Sequence, residues 1–271
     1  MSDKPASQFG SYGSSNGQFN GPWSVACNSR GEIVVADYSN HRIQVFDRNG
    51  KFLFKFGSKG QGNGLFDLPS GVTVDQRNNQ IGVAEAGNPR FQIFDEKGTF
   101  LRVFGSQGNG DGQFDRPEGV VVDQQGNYVV ADTNNHRIQI FNSQGQFVMK
   151  FGSFGEGNGQ MKDPRGVGLL SNGNIVVGEN GGNRLQIFDS EGNFLRVVGA
   201  RQFKNPEHLF VDSDDNILVA DRDNHRIQVF HQNDNLIKTI GTGLISFPRG
   251  ICMDRQGRII VCEDVNRISI F

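Results

Sequence analysis

The sequence predicts an all-β fold, a six-bladed β-propeller with four-stranded antiparallel blades. Three observations predict it: a segment that recurs six times, the spacing of its copies, and a high content of Gly (37) and Phe (23) among 271 residues. Gly-rich punctuation between short apolar runs is typical of tight turns between strands. Successive copies are 41 to 48 residues apart and end at Phe46, Phe94, Phe141, Phe188, Phe230 and Phe271. This period, with several short strands in each unit, indicates propeller blades.

Each unit contains four predicted strands, a to d. Strand a follows a Pro, strand b is an IVVAD-like run, strand c is a RIQVF-like run and strand d resembles FLFKFG. Strand c is apolar at every second residue, which indicates one buried face. Turns such as Asn49-Gly50 join strands c and d, because Gly accepts the positive φ of a tight hairpin. The predicted blades span about 14–60, 61–108, 109–155, 156–200, 201–241 and 242–271.

The two ends of the chain complement each other. The sixth unit stops at Phe271 after strand c, whereas the segment Phe9-Gly10-Ser11-Tyr12-Gly13 matches the end of strand d in other units. We therefore expect residues 6–13 to add the missing outer strand to the last blade. That strand would close the ring and remove its open end. The whole chain, 1–271, is predicted to be one propeller domain, and the closed ring is expected to be monomeric.

Composition excludes several classes of protein. The net charge is −2, which does not suggest a nucleic-acid-binding domain by itself. No apolar run approaches the ~20 residues that a membrane span needs, so no membrane association is expected. The three Cys residues form no CxxC pair. We interpret Cys27, Cys252 and Cys262 as reduced, buried thiols of a cytoplasmic protein.

The strand b-to-c loops carry a repeated tripeptide: Asn40-His41-Arg42, Asn135-His136-Arg137 and Asn224-His225-Arg226. With the GNGQF lead-in and the Pro-x-Gly-Val start of strand a, this pattern resembles the NHL repeat family. Within it, the sequence is most similar to the C-terminal NHL domain of TRIM-NHL proteins. The resemblance implies a RING, B-box and coiled coil elsewhere in such a protein, and an isolated target-recognition domain here.

A carboxylate and an arginine recur in phase in every unit. The pairs are Asp37/Arg42, Glu85/Arg90, Asp132/Arg137, Glu179/Arg184, Asp221/Arg226, and Glu263 or Asp264 with Arg267. Paired catalytic acids or a ring of metal ligands is one interpretation. Six copies favour the other, a charge-assisted bond that ties strand b to strand c. The histidines of the tripeptide are likewise interpreted as residues that fix loops.

A metal in the axial channel is a further alternative, because aspartates end strand a in four blades: Asp75, Asp123, Asp212 and Asp254. Aspartates at these positions usually only begin turns. There is no Walker A motif, no GxSxG and no Cys/His nucleophile pair. We therefore predict no catalytic residue, no metal and no cofactor.

Function is expected where the repeats differ. The residues after the six prolines are Trp23, Ser70, Glu118, Arg165, Glu207 and Arg249, and they should surround one mouth of the channel. A candidate binding arc on this face consists of Lys162, Arg165, Lys204, His208, Arg249 and Trp23. Packing between blades is the alternative role for Trp23, and a solvated rim charge for each Arg. The acidic residues Asp115, Glu118, Asp163 and Glu207 share the face.

These features support a non-catalytic interaction domain that recruits protein substrates or partners for a TRIM-NHL E3 ubiquitin ligase. The alternative is an RNA-binding domain of a translational repressor that binds short single-stranded or stem-loop RNA on the channel-mouth face. Arginine and aromatic side chains suit RNA, whereas a rim of mixed charge with Trp and Arg anchors suits a protein. An enzyme is a third class. The lead-ins at 199–203 and 241–245 lack the GNG extension, which predicts shorter loops and a notch beside the arc.

Overall fold

The computed structural model describes residues 3–271, and these residues form six four-stranded antiparallel sheets. The strands, a to d, of blades 1 to 3 are Pro22–Cys27, Ile33–Asp37, Arg42–Phe46 and Phe52–Phe56; Pro69–Asp75, Gln80–Glu85, Arg90–Phe94 and Phe100–Phe104; Pro117–Val122, Tyr128–Asp132, Arg137–Phe141 and Phe147–Phe151. Those of blades 4 to 6 are Pro164–Leu169, Ile175–Glu179, Arg184–Phe188 and Phe194–Val198; Pro206–Val211, Asn216–Asp221, Arg226–His231 and Leu236–Ile240; Pro248–Met253, Ile259–Glu263, Arg267–Ile270 and Ser7–Phe9. The prediction of six four-stranded blades is confirmed.

The ring is closed by the N-terminal strand, as predicted. Ser7–Phe9 pairs antiparallel with Arg267–Ile270 of blade 6, with Ser7 opposite Ile270 and Phe9 opposite Ile268. The strand is shorter than the predicted segment 6–13. The last blade therefore contains both ends of the described chain, and its outer strand holds the ring through three residue pairs.

The core is divided among the seams between blades. Six apolar clusters each combine residues of two neighbouring blades. At the outer edge of four of the six seams, a Phe of one blade packs on the glycine turn of the next, as Phe9 packs on Gly50. A Cβ on Gly50 would lie 2.4 Å from the Phe9 ring, and φ there is +85°. This turn therefore needs Gly both for its backbone conformation and for its neighbour.

The Pro-x-Gly start of strand a narrows the channel at one end. A Cβ on Gly71 would lie 1.8 Å from the carbonyl oxygen of Glu118, and one on Gly119 would lie 1.9 Å from that of Arg165. Neighbouring strands a therefore approach here more closely than a side chain allows. Ser24 and His208 replace this Gly in blades 1 and 5. Beyond the narrow end, the channel has a volume of about 1260 Å³ and is lined by strands a and the a–b turns.

Loops on the narrow face differ among blades. The loops that lead into strand a span 57–68, 105–116 and 152–163 before blades 2 to 4, but only 199–205 and 241–247 before blades 5 and 6. The predicted shortening is thus present. The loop before blade 3 contains two short parallel strands, Ser106–Gln107 and Gln113–Phe114. In blades 1, 3 and 5 a 3-10 turn joins strands b and c: Tyr38–Asn40, Thr133–Asn135 and Arg222–Asn224.

Candidate interaction site at the channel mouth

The repeated carboxylate–arginine pairs lie in the strand b-to-c corners, beside the mouth. In blade 1, Arg42 Nε donates to Asp37 Oδ2 at 2.7 Å, and its other nitrogens donate to the carbonyls of Ser14, Ser15 and Gln18. Gln44 Nε2 also donates to the Asp37 carboxylate. Asp37 is fully buried. Its hydrogen-bonding capacity is met inside the blade, which is the arrangement of a structural group.

The arginines of blades 1 to 4 share this arrangement, whereas those of blades 5 and 6 do not. In blades 1 to 4 the arginine donates to three backbone carbonyls of the long lead-in loop. In the last two blades it donates to one loop carbonyl: Arg226 to that of Gln202, and Arg267 to that of Leu244. The Arg226 side chain is 30% exposed, against 6% for Arg42. The shorter loops leave these guanidinium groups uncovered. In blade 6, Glu263 rather than Asp264 pairs with Arg267.

The three histidines of the repeated tripeptide fix the next blade. His41, His136 and His225 adopt left-handed backbone conformations at the end of the 3-10 turns. Each ring accepts at Nδ1 a hydrogen bond from a loop of the following blade: from the amides of Leu68, Asp163 and Phe247, at 3.1–3.2 Å. These three donors directly precede the prolines of strand a and are themselves left-handed, with φ of 47–53°. The imidazoles therefore stabilise a strained junction between blades.

The residues after the prolines converge on the narrow mouth, where charges alternate. Arg165 Nη1 lies 2.6 Å from Glu207 Oε1, and Arg165 Nε lies 3.4 Å from Glu118 Oε2. Arg249 approaches the same Glu207 oxygen at 3.5 Å and also pairs with Asp264. Ser70 is buried and donates to the carbonyl of Pro117 at 2.6 Å. The mouth is thus covered by ion pairs that cross from blade to blade.

These ion pairs are shielded from solvent. Arg165 and Arg249 are only 17% and 12% exposed, and the carboxylates of Glu118 and Glu207 are almost completely buried. Burial raises the pKa of the Glu118 carboxyl. Burial alone would lower the pKa of the Arg165 guanidinium, but Glu118 and Glu207 outweigh it and hold that pKa above its ordinary value. Much of the positive charge of the predicted arc is therefore neutralised at the mouth.

Trp23 and His208 are two mouth residues that differ from their counterparts in the other blades. The Trp23 ring stacks on Tyr38 with centroids 4.4 Å apart, and the Arg249 guanidinium lies 3.8 Å from its centroid. His208 replaces a Gly, is buried, and lines the channel below the ion pairs. Burial, with Arg165 and Arg249 nearby, lowers the pKa of His208 to about 4 despite the opposing effect of Glu207. The Trp23 Nε1 and His208 Nε2 atoms have no hydrogen-bond partner among the described residues.

The two lysines of the predicted arc are set apart from the ion pairs. Lys162 pairs with Glu156, and its amino group lies 6.0 Å from the centroid of the exposed Phe154 ring. Lys204 is exposed, and its backbone amide donates to Asp221 Oδ1. The structure thus brings Arg165, Arg249, Trp23 and His208 together and leaves the lysines at the periphery.

Sequence reasoning missed two charged members of the mouth, Arg116 and Arg222, and considered a third, Asp264, only as a partner of Arg267. Arg116 lies 2.8 Å from Glu118, and Arg222 pairs with Asp264 at 2.6 Å and approaches Glu207 at 3.7 Å. Arg222 and Asp264 lie in strand b-to-c corners, which the repeat pattern identifies only as loops. Arg116 precedes its Pro, and only the left-handed conformation of that position places it at the mouth. No sequence signal distinguishes these residues from ordinary loop charges.

Blade 6 presents an apolar surface on this face. Leu244, Phe247 and Val265 are all exposed, and we call them the blade 6 patch. They lie on two loops held together by a hydrogen bond from the Asp264 amide to the Phe247 carbonyl. The Arg222 guanidinium covers the Phe247 ring at 5.1 Å. An apolar patch bordered by partly exposed arginines is typical of a protein interface.

The channel aspartates serve the a–b turns. Asp254 binds Arg258 at 2.7 Å, Asp75 binds Arg77 at 2.7 Å, and Asp123 and Asp212 accept from Asn127 and Asn216. Within residues 3–271, no three His, Cys, Asp or Glu side chains are grouped so as to hold a metal ion. In the same part of the chain, no helix has the length and apolar character needed to cross a membrane.

Comparison with known proteins identifies the repeat. The family model described as "NHL repeat" matches residues 19–46, 114–141 and 203–230. Protein brain tumor of Drosophila melanogaster is 42% identical over 74 residues, or 27% of this chain and 7% of its own length. B-box type zinc finger protein ncl-1 of Caenorhabditis elegans is 56% identical over 48 residues, or 18% of this chain and 6% of its own length. E3 ubiquitin-protein ligase TRIM71 of Bos taurus is 51% identical over 51 residues, or 19% of this chain and 6% of its own length. The matched segments thus cover a small fraction of these relatives.

Solved structures share the fold at low sequence identity. A gluconolactonase from Xanthomonas campestris superposes with a TM-score of 0.72 at 13% identity, covering 94% of this chain and 87% of that one. A streptogramin B lyase superposes with a TM-score of 0.66 at 12% identity, covering 93% and 94%. At this identity the likeness extends to the propeller alone. The chain is therefore a six-bladed β-propeller that contains segments matching the NHL repeat and that resembles the NHL domains of TRIM-NHL proteins.

Proposed function

We propose that this propeller is a non-catalytic interaction domain that recruits protein substrates or partners to a TRIM-NHL E3 ubiquitin ligase, and that it acts in the cytoplasm. The blade 6 patch carries the proposal. It combines exposed apolar side chains with the partly exposed guanidinium groups of Arg222, Arg226 and Arg267. Apolar anchors beside arginines supply most of the affinity in typical protein interfaces. The link to a ligase rests on the resemblance to TRIM-NHL proteins.

The charge at the mouth also favours a protein partner. RNA affinity comes mainly from cations that neutralise phosphates. At the mouth, Arg165 and Arg249 instead pair with the buried carboxylates of Glu118 and Glu207 and with the partly exposed carboxylate of Asp264. A phosphate would have to compete with these carboxylates for the same guanidinium groups. A partner that contributes both apolar and charged groups has no such penalty.

The experiment is a quantitative capture of proteins by the immobilised chain, with the Leu244→Ser/Val265→Ser variant in parallel. We expect the variant to reduce capture of a specific partner at least tenfold, because about 1.4 kcal/mol of apolar contact corresponds to a factor of ten. Leu101→Ser is the matched control, since Leu101 is also exposed but lies on outer strand d of blade 2. Equal capture by all three proteins would contradict the proposed surface.

The link to a ligase is tested in cells with the full-length protein. A recruited substrate should carry less ubiquitin when the full-length protein bears the Leu244→Ser/Val265→Ser pair, although its RING is intact. Unchanged ubiquitin on a partner that no longer binds would show that the propeller does not recruit it for ligation.

One observation favours RNA as the second candidate. Phe154 is 62% exposed, its ring lies 4.8 Å from that of His136, and Lys162 is close to the same ring. An exposed aromatic ring beside a cation is a platform on which a base can stack. Titration with a randomised RNA pool at two salt concentrations tests this candidate. Micromolar binding that weakens steeply with salt and is lost in Phe154→Ser would favour RNA over protein.

A further inference from the structure

Two of the three cysteines face each other across the seam between the first and last blades. Cys27 ends strand a of blade 1, and Cys252 lies in strand a of blade 6. Their sulfur atoms are 3.3 Å apart. The third, Cys262, lies in strand b of blade 6 in the same apolar cluster. None of these three cysteines forms a disulfide in the structure.

The facing thiols differ from the third in access to solvent. Cys27 and Cys252 both line the axial channel, and they are 7% and 5% exposed, whereas Cys262 is fully buried and is absent from the channel wall. The channel continues to the a–b turns, where polar side chains such as Asp212 line it. A small oxidant can therefore reach the pair from the channel.

The seam has a special position in the chain. Blades 1 and 6 are neighbours in space, but 225 residues separate the two cysteines. Every other pair of neighbouring blades is joined directly by one lead-in loop. Here the closing strand Ser7–Phe9 provides the closure through three residue pairs. A covalent bond at this seam would therefore convert a ring held by a short strand into one closed through side chains.

We propose that Cys27 and Cys252 are a redox modification site, at which hydrogen peroxide forms a disulfide that locks blade 1 to blade 6. A disulfide needs a sulfur–sulfur distance of about 2 Å, so each sulfur must move by less than an ångström. Strands a of these blades already lie close together, because a Cβ on Gly250 would lie 2.7 Å from the Ser24 Cα. The bond thus requires side-chain adjustment at an existing contact.

The reaction balances with peroxide as the only oxidant. The thiolate of one cysteine attacks a peroxide oxygen, the O–O bond breaks, and a sulfenic acid forms; the departing hydroxide takes up the proton that this thiol lost and becomes water. The second thiolate attacks the sulfenic sulfur and forms the S–S bond; the departing hydroxide takes up the proton of the second thiol and becomes the second water. Two thiols are oxidised by two electrons in total, and one peroxide is reduced. Burial raises the pKa of Cys252, so the thiolate is scarce at neutral pH and the reaction is slow.

The test treats the folded chain with hydrogen peroxide and then counts free thiols after denaturation. The count should fall from three to one, and digestion without reductant should yield a peptide pair joined through Cys27 and Cys252. Cross-linking residues so distant in sequence restricts the unfolded chain strongly, so Tm should rise by about 10 °C. A reductant should reverse both changes.

Two variants serve as controls for this test. In Cys262→Val the count of free thiols should fall from two to none, with the same rise in Tm, because the Cys262 thiol takes no part in the bond. Cys27→Val should lose no thiol through disulfide formation and should show no rise in Tm; Cys27→Ser serves instead if that variant does not fold. Three free thiols in the treated natural chain would overturn the proposal, provided that the denatured chain is oxidised under the same conditions. A disulfide mapped to Cys262 would overturn it equally.

Discussion

Blades 1 to 4 and blades 5 and 6 have the same strands but differ in how their loops cover the arginine of strand c. In the first group, a long loop surrounds the guanidinium group with three carbonyls, as around Arg137. In the second group, the loop is shorter and supplies one carbonyl to Arg226 or Arg267. The same residue thus stabilises a loop in four blades and is partly free to contact a partner in two.

This difference shows where a repeat protein has room for function. Where the polar network is complete, any change leaves a buried group without a partner. Where it is incomplete, charged and apolar side chains face solvent together, as Arg222 and the blade 6 patch do. The departures from the repeat, rather than the repeat itself, therefore coincide with the surface that we propose for interaction.

Removal of the covered arginine should have the largest effect. Arg137→Ala leaves the fully buried Asp132 carboxylate without its cation and removes the hydrogen bonds to three loop carbonyls. We expect the free energy of unfolding to fall by about 3–5 kcal/mol, as for other broken buried ion pairs. Denaturant unfolding followed by circular dichroism measures it.

Arg226→Ala is the matched control in the uncovered group. Its guanidinium group is more exposed and binds one loop carbonyl, so solvent replaces more of what is lost, and we expect a fall of about 1–2 kcal/mol. Restoring neutrality with Asp132→Asn in the Arg137→Ala background should recover part of the larger loss. Equal losses for the two arginines would show that loop coverage does not distinguish the two groups of blades.

The buried histidine at the mouth should produce the next largest effect, seen as pH dependence. His208 has a pKa of about 4 in the folded chain and about 6.5 when unfolded. Between these two pH values His208 is protonated in the unfolded chain but neutral in the folded chain. Stability is therefore lost as pH falls through this window, by about 3 kcal/mol at pH 4 relative to pH 7.

The His208→Gln variant separates the contribution of His208 to the pH dependence of stability from the contribution of the carboxylates. Buried carboxyls with raised pKa, such as those of Glu85 and Glu118, act in the opposite direction, but they are present in both proteins. The difference in unfolding free energy between natural chain and variant should change by about 3 kcal/mol from pH 7 to pH 4. If the unfolding free energies of the two proteins change in parallel with pH, the pKa of His208 is not lowered in the folded chain.

The propeller could be predicted from the sequence because its causes are local and repeated six times. Strand alternation, glycine turns and the complementary ends each correspond to visible residues, such as Phe9 and Phe271. The mouth residues after the prolines could also be located, since the prolines fix the start of strand a. The pairing of Arg249 with Asp264 could not, because it depends on which corner loop of the ring reaches the mouth. Exposure of the blade 6 patch depends likewise on the length of a neighbouring loop.

The smallest effect should come from two exposed leucines that differ only in the group of blades to which they belong. Leu65 and Leu244 lie in lead-in loops on the same face and are similarly exposed, but the first belongs to a long loop and the second to a short one. Leu244→Ser should weaken binding of a captured partner about tenfold, and Leu65→Ser less than twofold, because only the first removes an anchor beside uncovered arginines. Neither should change Tm by more than a few degrees, since both side chains are partly exposed in the free domain. Dissociation constants for one purified partner decide the comparison. Equal weakening by both would mean that the partner covers the whole face and that the short loops do not define the site.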